Sequence, residues 1–146
     1  MPQNCKLNRM GQTTTNRRIV FSANRKRIEF VNANSRTIRK IELDNENLPG
    51  SFGLRCDGIL VGDESMDLHE HYIELKGSDV RHAIEQLANT LKHLSREPRI
   101  QKKSCYAICS RIPRAGTDIQ IAKKRFRTRY SALLSFTTRQ AQVNLS

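Results

Sequence analysis

Apolar and polar positions alternate over two stretches near the start of the chain, Arg27–Val31 and Thr37–Leu43. Alternation with a period of two is typical of β-strands that bury one face. Residues 32–35 between them are polar and predict a turn, so we expect the two strands to pair as a hairpin. Strand character returns over Leu54–Val61 and His71–Lys76, with an acidic turn between these two stretches.

The clearest helix follows, because apolar residues recur three and four positions apart over Val80–Leu94. Ser78 is predicted to be its N-cap, and Asp79 suits the positive end of the helix dipole. Pro98 is expected to end the helix.

The rest of the chain repeats the change from strand to helix. Ser104–Ser110 is an apolar run typical of a buried strand, Ile119–Tyr130 is predicted to be a very basic helix, and Ala132–Thr137 a last strand. This order predicts a single α/β domain over residues 25–146, with a mixed central β-sheet flanked by helices. Residues 1–24 are polar and are expected to be loosely ordered.

Composition narrows the class of protein. No run of 18 apolar residues occurs, so no membrane span is predicted. The polar N-terminus lacks the apolar stretch of a signal peptide, which favours a cytoplasmic protein. The four cysteines include no CxxC pair, and we expect buried thiols rather than a zinc site.

The charge is large and unevenly distributed. The chain carries a net charge of +12. Most of its carboxylates nevertheless lie within residues 41–80, where acids outnumber Lys and Arg, while both flanks are strongly basic. A basic protein suits a polyanion such as nucleic acid. Carboxylates that face phosphate need neutralisation, for which a divalent cation is the obvious candidate.

The acidic segment holds a pattern with chemical meaning. Glu74 and Lys76 are two apart in a predicted strand, so they project to one face. Asp57 lies 17 residues before Glu74 in the preceding strand, close enough for a hairpin to bring the two carboxylates together. Such a pair repels unless a cation lies between its members, and Mg²⁺ or Mn²⁺ would suit them. Glu-x-Lys alone is more often a solvated ion pair; Asp57, the helix that follows and the basic flanks favour the site.

In these residues the chain resembles the PD-(D/E)xK nuclease superfamily, which includes restriction enzymes and Holliday-junction resolvases. The motif reads CDGIL over residues 56–60 and YIELKG over residues 72–77, followed by the helix. The resemblance implies a restriction-endonuclease-like α-β-β-β-α-β core. It also implies metal binding by Asp57 and Glu74 with help from the Leu75 carbonyl, and a catalytic role for Lys76.

Further positions match the family less directly. Gln86 lies where some branches place a helix glutamine, although a solvent-facing residue is the alternative. Cys56 stands where the family usually has proline. The family often carries an acid on a first helix, which this sequence does not show clearly; Glu29 and Glu42 are candidates.

Two other groups of residues invite interpretation. The basic run of the second helix is interpreted as a phosphate-binding surface, which Arg111 and Arg114 could join, rather than as a merely solvated face. The run comprises Lys123, Lys124, Arg125, Arg127 and Arg129. His69-Glu70-His71 lacks a third ligand in the sequence and is predicted to be a polar turn.

These observations favour a metal-dependent endonuclease that hydrolyses phosphodiester bonds of DNA, with RNA the less favoured substrate. One domain supplies one active site, so a homodimer or a larger assembly is expected. A role in phage defence or genome maintenance follows only by analogy. The alternatives are a non-catalytic nucleic-acid-binding module and a basic interaction subunit of a larger complex.

Overall fold

The computed structural model describes residues 6–62, 69–75, 79–95, 102–111 and 116–145. Its regular elements are, in chain order, β1 (Gln12–Thr14), β2 (Arg18–Ala23), β3 (Lys26–Asn32), β4 (Ile38–Glu42), β5 (Gly58–Gly62), β6 (Glu70–Glu74), α1 (Val80–Leu94), β7 (Lys103–Cys109), α2 (Thr117–Tyr130), β8 (Ala132–Thr138) and β9 (Gln140–Leu145). Short 3-10 turns precede β1 and follow β4.

The strands form two sheets. The larger has six strands in the order β1-β4-β5-β6-β7-β8, and the smaller has three in the order β2-β3-β9. In the larger sheet β1, β4, β5 and β6 are antiparallel neighbours, whereas β6, β7 and β8 run parallel. The protein is therefore an α/β fold with a mixed central sheet and two described helices, as the sequence predicts.

Alternation along the strands produces two separate cores. Side chains on one face of the large sheet, such as Tyr72 and Cys105, pack with Leu87 of α1 and Phe126 of α2. The opposite face, which includes Ile73, packs against the apolar face of the small sheet. Both helices thus cover one face, and the small sheet covers the other. Because β6 is covered on both sides, all of its residues are buried.

The two alternating stretches are β3 and β4. The prediction that they pair with each other as a hairpin is wrong. β3 pairs with β2 and β9 in the small sheet, whereas β4 pairs with β1 and β5 in the large one. The hairpin partner of β3 is β2, which lies in the segment expected to be loosely ordered. Residues 6–24 are in fact structured, because Leu7, Ile19 and Phe21 contribute to the two cores.

Local predictions for the helices hold well. α1 spans the predicted Val80–Leu94, although its N-cap is Asp79, whose side chain accepts a hydrogen bond from the His82 backbone N–H at 3.0 Å. Ser78 and Pro98 lie outside the described residues. α2 begins two residues earlier than expected. Neither described helix is long and apolar enough to cross a membrane.

The first helix implied by the family resemblance is not found among the described residues, where only the 3-10 turn Lys6–Arg9 precedes β1. Neither candidate for its acid lies on a helix. Glu29 is on β3, bound to Arg27 at 2.6 Å, and Glu42 is the exposed last residue of β4.

Candidate active site

The ends of four strands meet at one edge of the large sheet. β6, β7 and β8 run parallel and end there at Glu74, Cys109 and Thr138, while antiparallel β5 begins there at Gly58. We call this end of the strands the site edge, and the opposite end of the same strands the far edge. Asp57, immediately before β5, therefore lies at the same edge as Glu74.

Hydrogen bonds fix Asp57 against the end of β6. Its backbone N–H donates to the Ile73 carbonyl at 2.9 Å, and its Oδ2 accepts from the Leu75 backbone N–H at 2.6 Å. These partners are the two chain neighbours of Glu74. The distance from Asp57 Oδ2 is typical of a hydrogen bond to an ionised acceptor. The structure thus holds the Asp57 carboxylate beside the Glu74–Leu75 peptide.

The two carboxylates also belong to the same side of the sheet. A Cβ on Gly58 would overlap the Phe21 ring, so Gly58 faces the small sheet. Alternation then directs Asp57 toward the helices. Glu74 alternates with Ile73, which packs against the small sheet, so Glu74 also faces the helices. Gly58 is required here because any larger residue would meet the Phe21 ring.

The charges of the site affect the pKa values of two buried thiols, Cys56 and Cys109. Burial raises the pKa of Cys56 to about 12, a hydrogen bond with Thr90 opposes this rise, and the negative charges of Glu74 and Asp57 add to it. Burial likewise raises the pKa of Cys109, with Lys26 lowering it and Glu74 raising it. Both carboxylates thus act electrostatically on the Cys56 thiol, and Lys26 and Glu74 act in opposite directions on Cys109.

Gln86 on α1 is buried, contrary to the alternative of a solvent-facing residue. Its Nε2 donates to the Arg55 carbonyl at 3.1 Å. One turn later on α1, the Thr90 hydroxyl accepts from the Cys56 backbone N–H at 2.9 Å. Gln86 and Thr90 together anchor the segment that leads into Asp57, so the conformation of that carboxylate depends on α1.

Two carboxylates on one side of the sheet, with backbone carbonyls at the adjoining strand ends, are oxygen donors of the kind that Mg²⁺ or Mn²⁺ prefers. Within the described ranges, no group of three or more His, Cys, Asp or Glu side chains is placed to hold a metal ion. A cation here would therefore complete its coordination with water and phosphate oxygens, as Mg²⁺ commonly does.

Of the other predicted residues, Lys76 and Arg114 lie outside the described residues. Leu75 is buried, and its N–H is the donor to Asp57. Arg111 is exposed two residues after β7 ends, at the site edge.

The basic run of α2 extends away from this edge. α2 starts after the end of β7, at the site edge, and finishes before the start of β8, at the far edge. Lys124, Arg127 and Arg129 are exposed, whereas Lys123 is half-buried near the Phe136 ring and half-buried Arg125 contacts Glu85 at 3.7 Å. Arg127 lines a far-edge cleft. Only the N-terminal end of α2 is therefore near Asp57.

The segment His69-Glu70-His71 is not the expected polar turn. Glu70 and His71 begin β6 and are buried at the far edge, where His71 Nδ1 is 2.9 Å from the Tyr106 hydroxyl. Glu70 accepts hydrogen bonds from the Tyr72 and Ser95 hydroxyls. Glu70 and His71 therefore contribute to packing at the far edge of the sheet, at the opposite end of β6 from Asp57.

Sequence reasoning missed the β2–β3 turn and Arg139, which the tertiary structure brings to the site edge. The Arg139 backbone N–H donates to the Cys109 carbonyl at 2.8 Å, and its carbonyl accepts from the Arg27 N–H at 2.9 Å. The alternation of Ile19 and Phe21 was the available signal for β2. No local signal pointed to Arg139.

Comparisons with known proteins add no relative: no protein-family model matches the chain, and neither a curated protein nor a solved structure matches it significantly.

Proposed function

We propose that the protein is a metal-dependent nuclease that hydrolyses phosphodiester bonds of nucleic acid, with DNA the favoured substrate. The observation that carries the proposal is the hydrogen bond from the Leu75 N–H to Asp57, which holds one carboxylate beside Glu74. Glu74 is fully buried, and a buried carboxylate is costly unless a cation or hydrogen bonds compensate its charge, which a bound metal ion would help to do.

Each residue has a distinct part in this proposal. Asp57, Glu74 and the Leu75 carbonyl would hold Mg²⁺ or Mn²⁺, which would lower the pKa of a bound water and neutralise charge on the phosphate. Gln86 acts as a positioning residue, because it holds the Arg55 carbonyl two residues before Asp57. Lys76, by its resemblance to the family motif, stabilises the charge that develops on the phosphate.

Basic residues at the site edge and along α2 support a polyanionic substrate. Phosphate contacts of this kind carry no sequence information directly, so we expect weak sequence preference. One domain offers one such carboxylate pair, and cutting both strands of a duplex would use two copies. The wider expectations from the sequence, a homodimer or larger assembly and a role in phage defence or genome maintenance, remain part of this proposal.

The test is incubation of the purified protein with labelled single- and double-stranded DNA and RNA, with Mg²⁺, Mn²⁺ or a chelator. We expect cleavage that the chelator abolishes. Asp57→Asn keeps an oxygen acceptor for the Leu75 N–H and should be inactive. Asp44→Asn removes the same charge from an exposed position in the same acidic segment and should be active. Equal cleavage by the two variants would contradict the proposal.

A non-catalytic nucleic-acid-binding module is the second candidate, favoured by the exposed basic residues alone. It predicts binding with a steep dependence on salt and no cleavage with either metal. A basic interaction subunit, the third candidate from the sequence, would bind no nucleic acid at all.

A further inference from the structure

The β2–β3 turn carries an unusual concentration of strain and positive charge. Asn24 and Arg25 form the turn, with φ of 53° and 63°. A two-residue hairpin turn with positive φ at both positions favours glycine at the second, where this chain has an arginine. Arg139, which links β8 to β9, also has a positive φ of 62°. Two arginines thus occupy conformations that favour glycine.

The two arginines line the same cleft although they are distant in sequence. Together with Lys26 and Gln140 they line an open cleft of about 610 Å³ in which no lining residue is acidic. Both arginine side chains are exposed, and within the described residues neither forms an ion pair. Arg27, on the same cleft, is instead bound to Glu29 at 2.6 Å.

This cleft lies at the same end of the large sheet as Asp57 and Glu74, on the side covered by the small sheet, whereas the two carboxylates face the helices. The Arg139 N–H donates to Cys109 at the end of β7, and in the next strand Glu74 pairs in register with Ala107, two residues before Cys109. Lys26 is almost fully buried between the cleft and the sheet, with its Nζ donating to the Asn24 carbonyl at 3.2 Å. Lys26 lowers the pKa of Cys109 and Glu74 raises it, so both charges act on the same thiol.

We propose that the cleft formed by Arg25, Lys26 and Arg139 binds the phosphate backbone of the nucleic acid next to the bond that is cut. The inference rests on the proposed function for its ligand, and it adds a binding surface distinct from α2. Strained backbone conformations persist where the surrounding structure enforces them and are concentrated at ligand-binding sites. Arginines without acidic partners at such positions are available to phosphate oxygens.

The experiment separates binding from cleavage. Affinity of the full chain for a short fluorescein-labelled DNA duplex is measured by anisotropy in chelator at several salt concentrations, and cleavage is measured separately with Mg²⁺. The variant is Arg25→Gly/Arg139→Gly, which removes two cations and relieves both positive-φ conformations. The control is Arg17→Ala/Arg36→Ala, which removes two cations beside the far-edge end of the β2–β3 hairpin.

We expect the glycine variant to bind roughly tenfold more weakly, with a salt slope lower by about two, because each phosphate that is no longer neutralised removes about 0.9 from the slope. Its melting temperature should equal or exceed that of the wild type, since glycine adopts positive φ without steric cost. The far-edge control should bind like the wild type.

Affinity and slope equal to those of the control would overturn the inference. Loss of affinity accompanied by a lower melting temperature is resolved by Arg25→Lys/Arg139→Lys, which keeps both charges: restored binding supports the cleft, and binding as weak as that of the glycine variant overturns it. Wild-type protein that binds DNA but leaves it uncut with Mg²⁺ and Mn²⁺ would refute the proposed nuclease function and not the cleft.

Discussion

The Asp57 carboxylate and the Leu75 backbone N–H are joined by a 2.6 Å hydrogen bond across the ends of β5 and β6. The bond fixes the orientation of the carboxylate and also satisfies a donor of a buried residue. Asp57 therefore has a structural role besides its proposed chemical one, and the choice of substitution can separate the two.

Asp57→Ala should both abolish cleavage and destabilise the fold, whereas Asp57→Asn should abolish cleavage with little loss of stability. Alanine leaves the Leu75 N–H without its acceptor, which costs about 1–3 kcal/mol, while asparagine keeps a carbonyl oxygen for it. Cleavage and urea unfolding are measured on the same preparations. Full cleavage by Asp57→Asn, or by Glu74→Ala, with contaminating nuclease excluded, would refute the mechanism.

Lys76→Ala should leave nucleic-acid binding in chelator nearly unchanged and lower turnover by about 10² to 10³, because one charge-stabilising donor is worth about 3 to 4 kcal/mol in the transition state. Lys76→Arg, which keeps the charge, should recover part of the rate. Single-turnover cleavage with Mg²⁺ provides the measurement. A rate for Lys76→Ala within a few-fold of wild type would remove Lys76 from the proposed chemistry.

Neutralising Lys123, Lys124 and Arg127 together should weaken DNA binding for all sequences and flatten the salt slope, by about one unit for each phosphate that these side chains neutralise. At about 1.5 Å per residue, α2 is about 20 Å long and extends from the site edge to the far edge. A duplex that contacts all three side chains would therefore have to lie along α2. Anisotropy titrations on two unrelated duplexes test this. An unchanged slope would mean that α2 faces something other than nucleic acid.

Gly58→Ala should destabilise the fold by about 1–3 kcal/mol, the usual cost of overpacking a core. The added methyl would overlap the Phe21 ring and lie 3.2 Å from the Ile41 carbonyl oxygen. Gly50→Ala is the matched control, because a Cβ there meets nothing within 4 Å. In urea unfolding, the double variant Gly58→Ala/Phe21→Leu should recover part of the loss. Equal stability of the two glycine variants would contradict this packing.

Stability should fall in mild acid because of His71. Burial, with a smaller effect of the neighbouring His69, lowers the pKa of His71 from 6.5 to about 3, so near neutral pH the folded protein holds this ring uncharged. As the pH drops below 6.5, His71 is protonated in the unfolded chain but not in the folded one. Stability is therefore lost until the pH reaches about 3, where the folded protein also binds the proton.

Between about pH 7 and about pH 5 the wild type should therefore lose about 2 kcal/mol more unfolding free energy than His71→Gln. Urea unfolding at the two pH values measures the difference. His93→Gln, at an exposed position, is the control and should follow the wild type. Identical pH dependence for wild type and His71→Gln would show that His71 titrates alike in the folded and unfolded chains.

The sequence by itself determined the type and approximate position of α1, α2, β7 and β8. The evidence was clearest for α1, with its helical period of apolar residues, and for β7, with its continuous apolar run. It also indicated that Asp57 and Glu74 lie on neighbouring strands, since a short connection between two strands usually makes them partners. The structure places both residues at one edge, as that reasoning predicts.

Only the tertiary structure decided which strands pair. β3 has the same alternation whether it joins β4 or β2, and the choice depends on contacts with β9 from the other end of the chain. The same long-range packing buries His71 and places Arg139 and Arg25 on one cleft. Periodicity records only which face of a segment is apolar, whereas the partner of that face is set by packing between residues that are distant in sequence.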